Sequence, residues 1–519
     1  MRLRGIYEVH SDEERLQLLA DLVEEGSQDP VIRETAIRIL KAYRVPEKDE
    51  IGEVKAIFDW VKRNIRYTKD ITGRDSYHTA KRILELKAGD CIPLTQRLIV
   101  RNKKTGMYEV VEAGDLKDCY NKYEALSYNF LEQKWEFKDI LNWVYKKEKP
   151  IVSIKLNNGT TFEVTPNHDL YILEGQTGSN KSLKLKLKNP EQIEFIRKNW
   201  TNKDTLSTKI RLLSAFKIPS LGKTYDENKL WIYGIYIAEG WASLKDSKVC
   251  IANDDENVRK TIIEKLEKLN VKYTSSKRTK HAYIRIRSNG LKIELRRMGE
   301  KSINKKFPKF VLSLTEDNIE TLLEGYAIGD AYKPKKESKW YKRVRRIYNT
   351  ISEELARQLF YLHLVLGKPL YVQYQPNHMG AGKNPIWRLY EYKNGQKWSY
   401  KEILPYLKAS YIVDMKYNGT KEVCDITVKD NHNFVLDNGM LVKNCDDFTI
   451  LLDSLLASIG YPVGARIITT SPDKGFHHIY SLVKVKGRWI PLDPTNKRFK
   501  IGQEPRYYKK RDFQFILGE

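Results

Sequence analysis

Two stretches of the chain repeat one arrangement of small and acidic residues. LWIYGIYIAEG spans residues 230–240 and TLLEGYAIGDA spans residues 321–331. Each holds a glycine (Gly234, Gly325), a small residue four positions on (Ala238, Gly329) and then an acid (Glu239, Asp330). Small residues four apart share one helical face, so two such helices can pack backbone to backbone. The two acids then meet at the ends of the paired helices. Facing carboxylates can hold a Mg2+ ion that activates water and stabilises a leaving oxygen, which is the chemistry of phosphodiester cleavage.

The charge agrees with a polyanionic partner. The formal net charge is +25, which points to nucleic acid first and to a solvated Lys/Glu-rich surface second. The stretch Lys333 to Arg346 has eight Lys or Arg against one acid, with Trp340 and Tyr341 among them. That clustering favours nucleic acid. No apolar run approaches the ~20 residues of a membrane helix, and MRLRGIYEVHSDEERL lacks the apolar region of a signal peptide. Five cysteines, Cys91, Cys119, Cys250, Cys424 and Cys445, lie far apart without a Cys-x-x-Cys pair. They read as reduced thiols, with no structural zinc, in a monomeric cytoplasmic protein away from membranes.

The two ends of the chain read as one unit. Helical spacing runs through residues 11–45 and 53–66, and the segment closes on Lys87-Ala-Gly-Asp90. After Cys445 comes an apolar helix, DDFTILLDSLLASIG, with Gly460 as its C-cap. Strand-like runs ARIITT, HIYSLVKV and RWIPLDP follow. Joining Asp90 to Cys445 gives Ala-Gly-Asp-Cys-Asp-Asp-Phe, then His478-Ile479-Tyr480 and Trp489 to Thr495. In this order the segments resemble the transglutaminase-like superfamily of papain-type cysteine enzymes, over most of about 165 joined residues. The resemblance implies an α+β host domain with Cys445 as nucleophile, His478 as its base and Asp493 orienting the imidazole. His477 is a rival to His478. A thiol at a helix N-terminus has its pKa lowered there, and an acyl or peptide substrate follows from the triad.

The interruption begins with Cys91, ends with Asn444 and is followed by Cys445. A thiol can attack the carbonyl before it, an asparagine amide can close on its own carbonyl, and the next thiol can accept the displaced acyl chain. The sequence around these residues resembles the all-β Hedgehog/intein (Hint) fold. Cys91-Ile-Pro-Leu-Thr-Gln-Arg-Leu-Ile-Val matches its first block. IVSIKLNNGTTFEVTPNHDLY at 151–171 reads as a hairpin across Asn157-Asn158-Gly159 that runs into Thr165-Pro-Asn-His168. VCDITVKDNHNFVLDNGMLVKN matches the last two blocks, with Asn438-Gly439 as a hairpin turn. The resemblance implies self-splicing without cofactor. Thr165 and His168 would strain the Asp90–Cys91 amide, and Asp425 and His432 would assist the later steps. The penultimate residue is Lys443, where the family usually has His. Alone, Cys91 or His168 would be an ordinary core residue; the ordered set carries the reading. The alternative is an insert that no longer splices, leaving a basic DNA-binding or nuclease protein.

The repeated helices resemble the two LAGLIDADG motifs of monomeric homing endonucleases, as does Asn304-Lys-Lys-Phe-Pro-Lys-Phe-Val-Leu before the second. Ala331 departs from the usual Gly. The resemblance implies an α/β fold of two pseudo-symmetric halves, Mg2+ held by Glu239 and Asp330, and double-stranded DNA at the intein-free host gene site. Basic strands such as AYIRIRS (282–288) would line the major groove. Lys277, Lys280 and Lys342 are candidate catalytic lysines. The expected multidomain organisation is host 1–90 and 445–519, Hint domain 91–220 and 406–444, and endonuclease 221–405, each large enough to bury its own core.

Overall fold

The computed structural model describes residues 11–64, 79–81, 84, 91–130, 132–174, 184–198, 210–243, 248–276, 282–334, 343–376, 385–393, 402–429, 431, 433–443, 448–469, 478–494 and 499–516. The expected helical stretch 11–45 is two helices, Asp12–Ser27 and Pro30–Ala42. Asp29 breaks it by capping the second helix, and Pro30 opens that helix where a missing N–H costs nothing. A third helix is Glu50–Asn64. These pack on the distant helix Phe448–Ala457, which Gly460 ends at φ +95. The first and last helices approach closely: a Cβ on Gly26 would lie 2.4 Å from Ser454 Oγ. A four-stranded antiparallel sheet completes this outer unit, in the order Arg488–Leu492, His478–Val485, Val463–Thr469, Lys509–Gln514. Val23, Ile32 and Phe58 share one core with Leu451, Leu455, Val463 and Val483. Both ends of the chain therefore bury the same apolar surface.

The interruption folds around two long antiparallel strands, Lys134–Leu156 and Leu407–Val428. Register shifts along their ladder bend the pair, as bulges do. They sit inside a 13-stranded sheet. Both expected hairpin turns form. Gly159 has φ +83 between Lys134–Leu156 and Thr161–Val164. Gly439 has φ +80, and Met440 N–H donates to Asn438 Oδ1. A positive φ suits glycine at both turns.

The central unit contains the repeat. The helices Glu227–Glu239 and Glu316–Asp330 pack against each other, and each leads directly into a four-stranded sheet. The first sheet has the order Gly240–Ser243, Lys248–Ala252, Tyr283–Ile286, Tyr273–Ser275. The second runs Ala331–Tyr332, Val344–Thr350, Ile386–Tyr392, Tyr371–Gln375. In chain order both are first, second, fourth, third, so the internal symmetry extends well beyond the two motifs.

The core of the central unit is continuous with that of the large sheet. The unit's helices share the largest apolar cluster with Tyr108, Tyr128, Tyr171 and Leu213 of the large sheet. Tyr108 stacks edge-on against Tyr361, and Trp135 Nε1 donates to the Lys217 carbonyl at 2.8 Å. Tyrosines and tryptophan bring large apolar area with a polar end that must find a partner; the Tyr128 hydroxyl finds its partner across the seam, donating to the Pro405 carbonyl at 3.0 Å.

The helix pair gives a test. A Cβ on Gly325 would lie 2.3 Å from the Trp231 carbonyl oxygen, and one on Gly234 would lie 2.2 Å from that of Leu322. A backbone oxygen cannot move aside, so Gly325→Ala should destabilise the central unit by about 1–3 kcal/mol. Gly290→Ala meets nothing within 4 Å in the helix Asn289–Arg297 and should be neutral or stabilising. Urea unfolding followed by limited proteolysis distinguishes the two variants.

Candidate active sites

Cys91 is buried at the start of the short strand Ile92–Pro93, which pairs with Cys424 and Val423 of the long strand Leu407–Val428. The turn after Thr161–Val164 closes over it. Thr165 N–H donates to the Cys91 carbonyl at 3.1 Å, and His168 N–H donates to the Thr165 carbonyl at 3.0 Å. The Cys91 amide, whose nitrogen belongs to the Asp90–Cys91 bond, points at Thr165 Oγ1, 3.4 Å away. His168 Nδ1 is 3.2 Å from the Cys91 carbonyl oxygen. A carbonyl only accepts, so Nδ1 carries the hydrogen. The imidazole thus touches the peptide group one bond beyond Asp90–Cys91.

His168 is fully buried, and its Nε2 has no hydrogen-bond partner among the described residues. Burial pushes its pKa down from 6.5 to about 4, against the opposing pull of the Cys91 carbonyl and Asp169. The ring is therefore neutral near pH 7. Lys443, also buried, ends the strand Leu441–Lys443 beside it; its backbone favours the charged ring and its ammonium opposes it.

Cys424 lies opposite Ile92, so Asp425 falls one residue further along the same strand. Asp425 is 3 % exposed, and Lys146 Nζ stands 3.9 Å from its Oδ2. Burial pushes the Cys424 thiol pKa well up, with help from Cys91 and Asp425. Cys91, Thr165, His168 and Asp425 therefore gather around one point. His432, Asn444 and Cys445 lie outside the described residues, as do Asp90 and His477.

The second site lies where the paired helices end. Glu239 and Asp330 both sit half-buried at the C-termini of their helices. Burial raises the Glu239 pKa, helped by Asp254. Burial and the nearby Glu239 push Asp330 up from 3.8 to about 7, while Lys305 pulls the other way. Two like charges out of water disfavour double ionisation. Lys305 is the residue that sequence reasoning missed. It is 3 % exposed, and its Nζ donates to the carbonyls of Tyr236 (3.0 Å) and Gly240 (2.9 Å) while lying 3.7 Å from the Tyr236 ring centroid. Burial lowers its pKa from 10.5 to about 8. The signal was in the Asn304-Lys-Lys-Phe-Pro segment, but nothing in it said which lysine turns inward. Lys277, Lys280 and Lys342 lie outside the described residues.

The acid pair offers hard oxygen donors suited to Mg2+. Among the described residues no group of three His, Cys, Asp or Glu side chains is gathered to hold a metal. Further oxygens would have to come from water or a bound phosphate.

A third constellation lies in the outer unit. His478 Nε2 is 2.9 Å from Asp493 Oδ2, and Asp493 is fully buried. The carboxylate accepts, so this nitrogen carries the hydrogen.

The family model of the intein splicing domain matches residues 98–444. No curated protein sequence matches the chain. Among solved structures, the G-1F mutant of the Ssp DnaB mini-intein variant M86 is 11% identical over 69% of this chain and 99% of its own, at a TM-score of 0.25. A DnaB intein from Synechocystis sp. PCC 6803 is 11% identical over 69% of this chain and 99% of its own, at 0.22. The homing endonuclease I-DmoI, in complex with DNA and Mn, is 12% identical over 31% of this chain and 89% of its own, at 0.24.

The two titratable sites predict opposite pH slopes. His168 has a depressed folded pKa, so the unfolded chain binds more protons between about pH 6.5 and pH 4. Its contribution to stability is fully present above 6.5 and falls as pH drops through that window, by roughly 3 kcal/mol in all. Asp330 has a raised folded pKa, so it stabilises below 3.8 and loses that contribution as pH rises toward 7. Thermal melts of wild type and His168→Gln from pH 7 to 4 isolate the first effect: the variant should lose the acid-side fall. Asp330→Asn should raise the melting temperature of the central unit at pH 8.

Proposed function

The chain belongs to the intein splicing domain family, and from that premise we propose that it is a precursor whose residues 91–444 excise themselves. Cys91 attacks the Asp90 carbonyl, so the acyl group passes from nitrogen to sulfur and forms a thioester. The Cys445 thiol displaces Cys91 from that thioester and joins residues 1–90 to its own sulfur. The Asn444 side-chain amide then closes on its own carbonyl and breaks the Asn444–Cys445 bond. An S-to-N shift leaves an ordinary Asp90–Cys445 peptide. The roles assigned are those of preorganised nucleophilic catalysis. Thr165 holds the amide nitrogen of the first bond, His168 anchors the following carbonyl, and Asp425 and His432 assist the exchange and the cyclisation. The observation that carries the reading is the grip of Thr165 and His168 on Cys91, at the head of a family match that ends on Asn444.

Within this precursor, residues 221–405 are read as a LAGLIDADG endonuclease and residues 91–220 with 406–444 as the splicing domain. The back-to-back helices and the two sheets of equal strand order support the endonuclease reading. Glu239 and Asp330 would hold Mg2+, which polarises the phosphate and activates water when bound. Lys305, poised near neutrality, would hold or release a proton beside them. Exposed Trp241, Tyr283 and Tyr374 stand on the two sheets that would face double-stranded DNA. Residues 1–90 and 445–519 are read as a transglutaminase-like thiol enzyme. The His478–Asp493 pair supports this, with Cys445 as its nucleophile and an acyl or peptide substrate.

Mass spectrometry of the product expressed in a reducing cytosol tests the proposal. The expected species are the released 91–444 segment and a ligated chain of about 165 residues, and Asn444→Ala should block release at the downstream junction. Persistence of full-length chain, unchanged by Asn444→Ala, would overturn the reading. Separately, the purified segment should cut intein-free host DNA with Mg2+, and Asp330→Asn should abolish cutting while the protein stays folded.

A further inference from the structure

Lys146 belongs to a run of charged residues, Lys146-Lys147-Glu148-Lys149, that reads as a solvated strand. The fold treats its members differently. Lys147 and Lys149 are exposed, whereas the Lys146 side chain is only 9% exposed and turns toward the splicing centre. It lies on the strand Lys134–Leu156 opposite Val423, one pair along from Cys424, with Tyr145 facing Cys424 and Val144 facing Asp425. Its Nζ stands 3.9 Å from Asp425 Oδ2, beyond hydrogen-bonding distance. Among the described residues neither Lys146 Nζ nor Asp425 Oδ1 has a hydrogen-bond partner. Val423, which alternates onto the same face as Asp425 and faces Lys146, packs with Cys91 and Ile151, so Lys146, Asp425 and Cys91 lie on one side of the ladder.

Burying a charge is costly unless it is paired and its hydrogen bonds are met. A surface role cannot explain an ammonium placed here, and a tight structural ion pair would not leave a gap of 3.9 Å with both partners under-bonded. Asp425 follows Cys424, the partner of Ile92, so the Lys146–Asp425 pair stands beside Cys91. We propose that Lys146 is a positioning residue for splicing: it holds the Asp425 carboxylate as the base that receives the Cys445 thiol proton. This rests on the role of Asp425 in the proposed mechanism. In the exchange the Cys445 S–H proton passes to Asp425 and the sulfur bonds to the Asp90 carbonyl carbon. The carbon–sulfur bond to Cys91 breaks, and the departing Cys91 thiolate is reprotonated. Lys146 is unchanged; its charge offsets that of Asp425 before the transfer and steadies the thiolate pair during it.

The test uses full-length chain pulse-labelled in cell-free translation, with two readouts. Cleavage at Cys91 by added dithiothreitol reports the thioester, and the ligated product reports the exchange. Lys146→Met should leave thiol-induced cleavage intact and slow ligation by about tenfold or more, a typical size for loss of assisted proton transfer. Lys146→Arg should recover most of that rate. Asp425→Asn should slow ligation as well, and the double variant Lys146→Met with Asp425→Asn should be no slower than Asp425→Asn alone. Multiplying effects in the double variant would overturn the coupling. Equal loss of both readouts without rescue by arginine would make Lys146 merely structural and overturn the proposal. An Asp425→Asn variant that ligates normally would instead remove the base assignment for Asp425, whatever Lys146 does.

Discussion

The antiparallel ladder between Lys134–Leu156 and Leu407–Val428 is the interaction on which the remaining geometry depends. Its two strands come from opposite ends of the insert. Pairing them fixes where Cys424 and Asp425 lie, and Cys424 in turn pairs with Ile92 to fix Cys91. The same ladder carries Lys146 toward Asp425, and at its far end the Asn157 amide and carboxamide bond across to Tyr411. A strand ladder has a side-chain period of two, so slipping this register by one residue would turn every one of these groups to the other face. Buried apolar residues at one end and the two-way Asn157–Tyr411 bonding at the other hold the register against that slip.

Around this frame the protein solves two buried-charge problems in opposite ways. At Cys91 the imidazole is kept neutral: burial is complete, and its one donated bond goes to a peptide carbonyl. A neutral ring can take up a thiol proton and deliver it to a departing nitrogen. At the paired helices Asp330 is raised by burial and by Glu239, and Lys305 is brought down to about 8 by its own burial, against the pull of Asp330. The lysine is itself held by carbonyls at the end of the first helix, where a helix presents partial negative charge. A site that stores unfavourable charge in the free protein is prepared for a cation or a phosphate-bound metal.

Local chemistry made much of this legible before any fold was known. Helix caps, Gly at αL turns and motif glycines act within a few residues, so Gly460, Asn438-Gly439 and Gly325 could be placed from sequence, whereas the Asp29-Pro30 break inside 11–45 was passed over. The Thr165 and His168 pair was legible because both lie in one short turn. Lys146 and Lys305 were not, since each sits beside other lysines and only tertiary register decides which one turns inward. The strand Lys509–Gln514 escaped for a related reason: it is an edge strand with exposed, mostly charged residues and no apolar alternation. The shared core between the large sheet and the central unit was also unreadable, because Tyr108 and Tyr361 meet from segments far apart in the chain.

The outer unit bears on how excision and the proposed host activity are related. Its two segments already bury a common core while the insert is in place, so excision does not have to trigger folding. The His478–Asp493 pair is already formed as well. What the intact chain lacks is the covalent neighbour of Cys445, because that sulfur is followed by the host helix but preceded by Asn444. The helix Phe448–Ala457 starts three residues beyond it, and a thiol near a helix N-terminus is favoured as thiolate. The feature that would make Cys445 a good host nucleophile also suits it to attack the Cys91 thioester. One environment can then serve both reactions in sequence. On the proposed reading, the splice junction would coincide with the host active centre, because the acceptor thiol of splicing and the host nucleophile would be the same residue, Cys445.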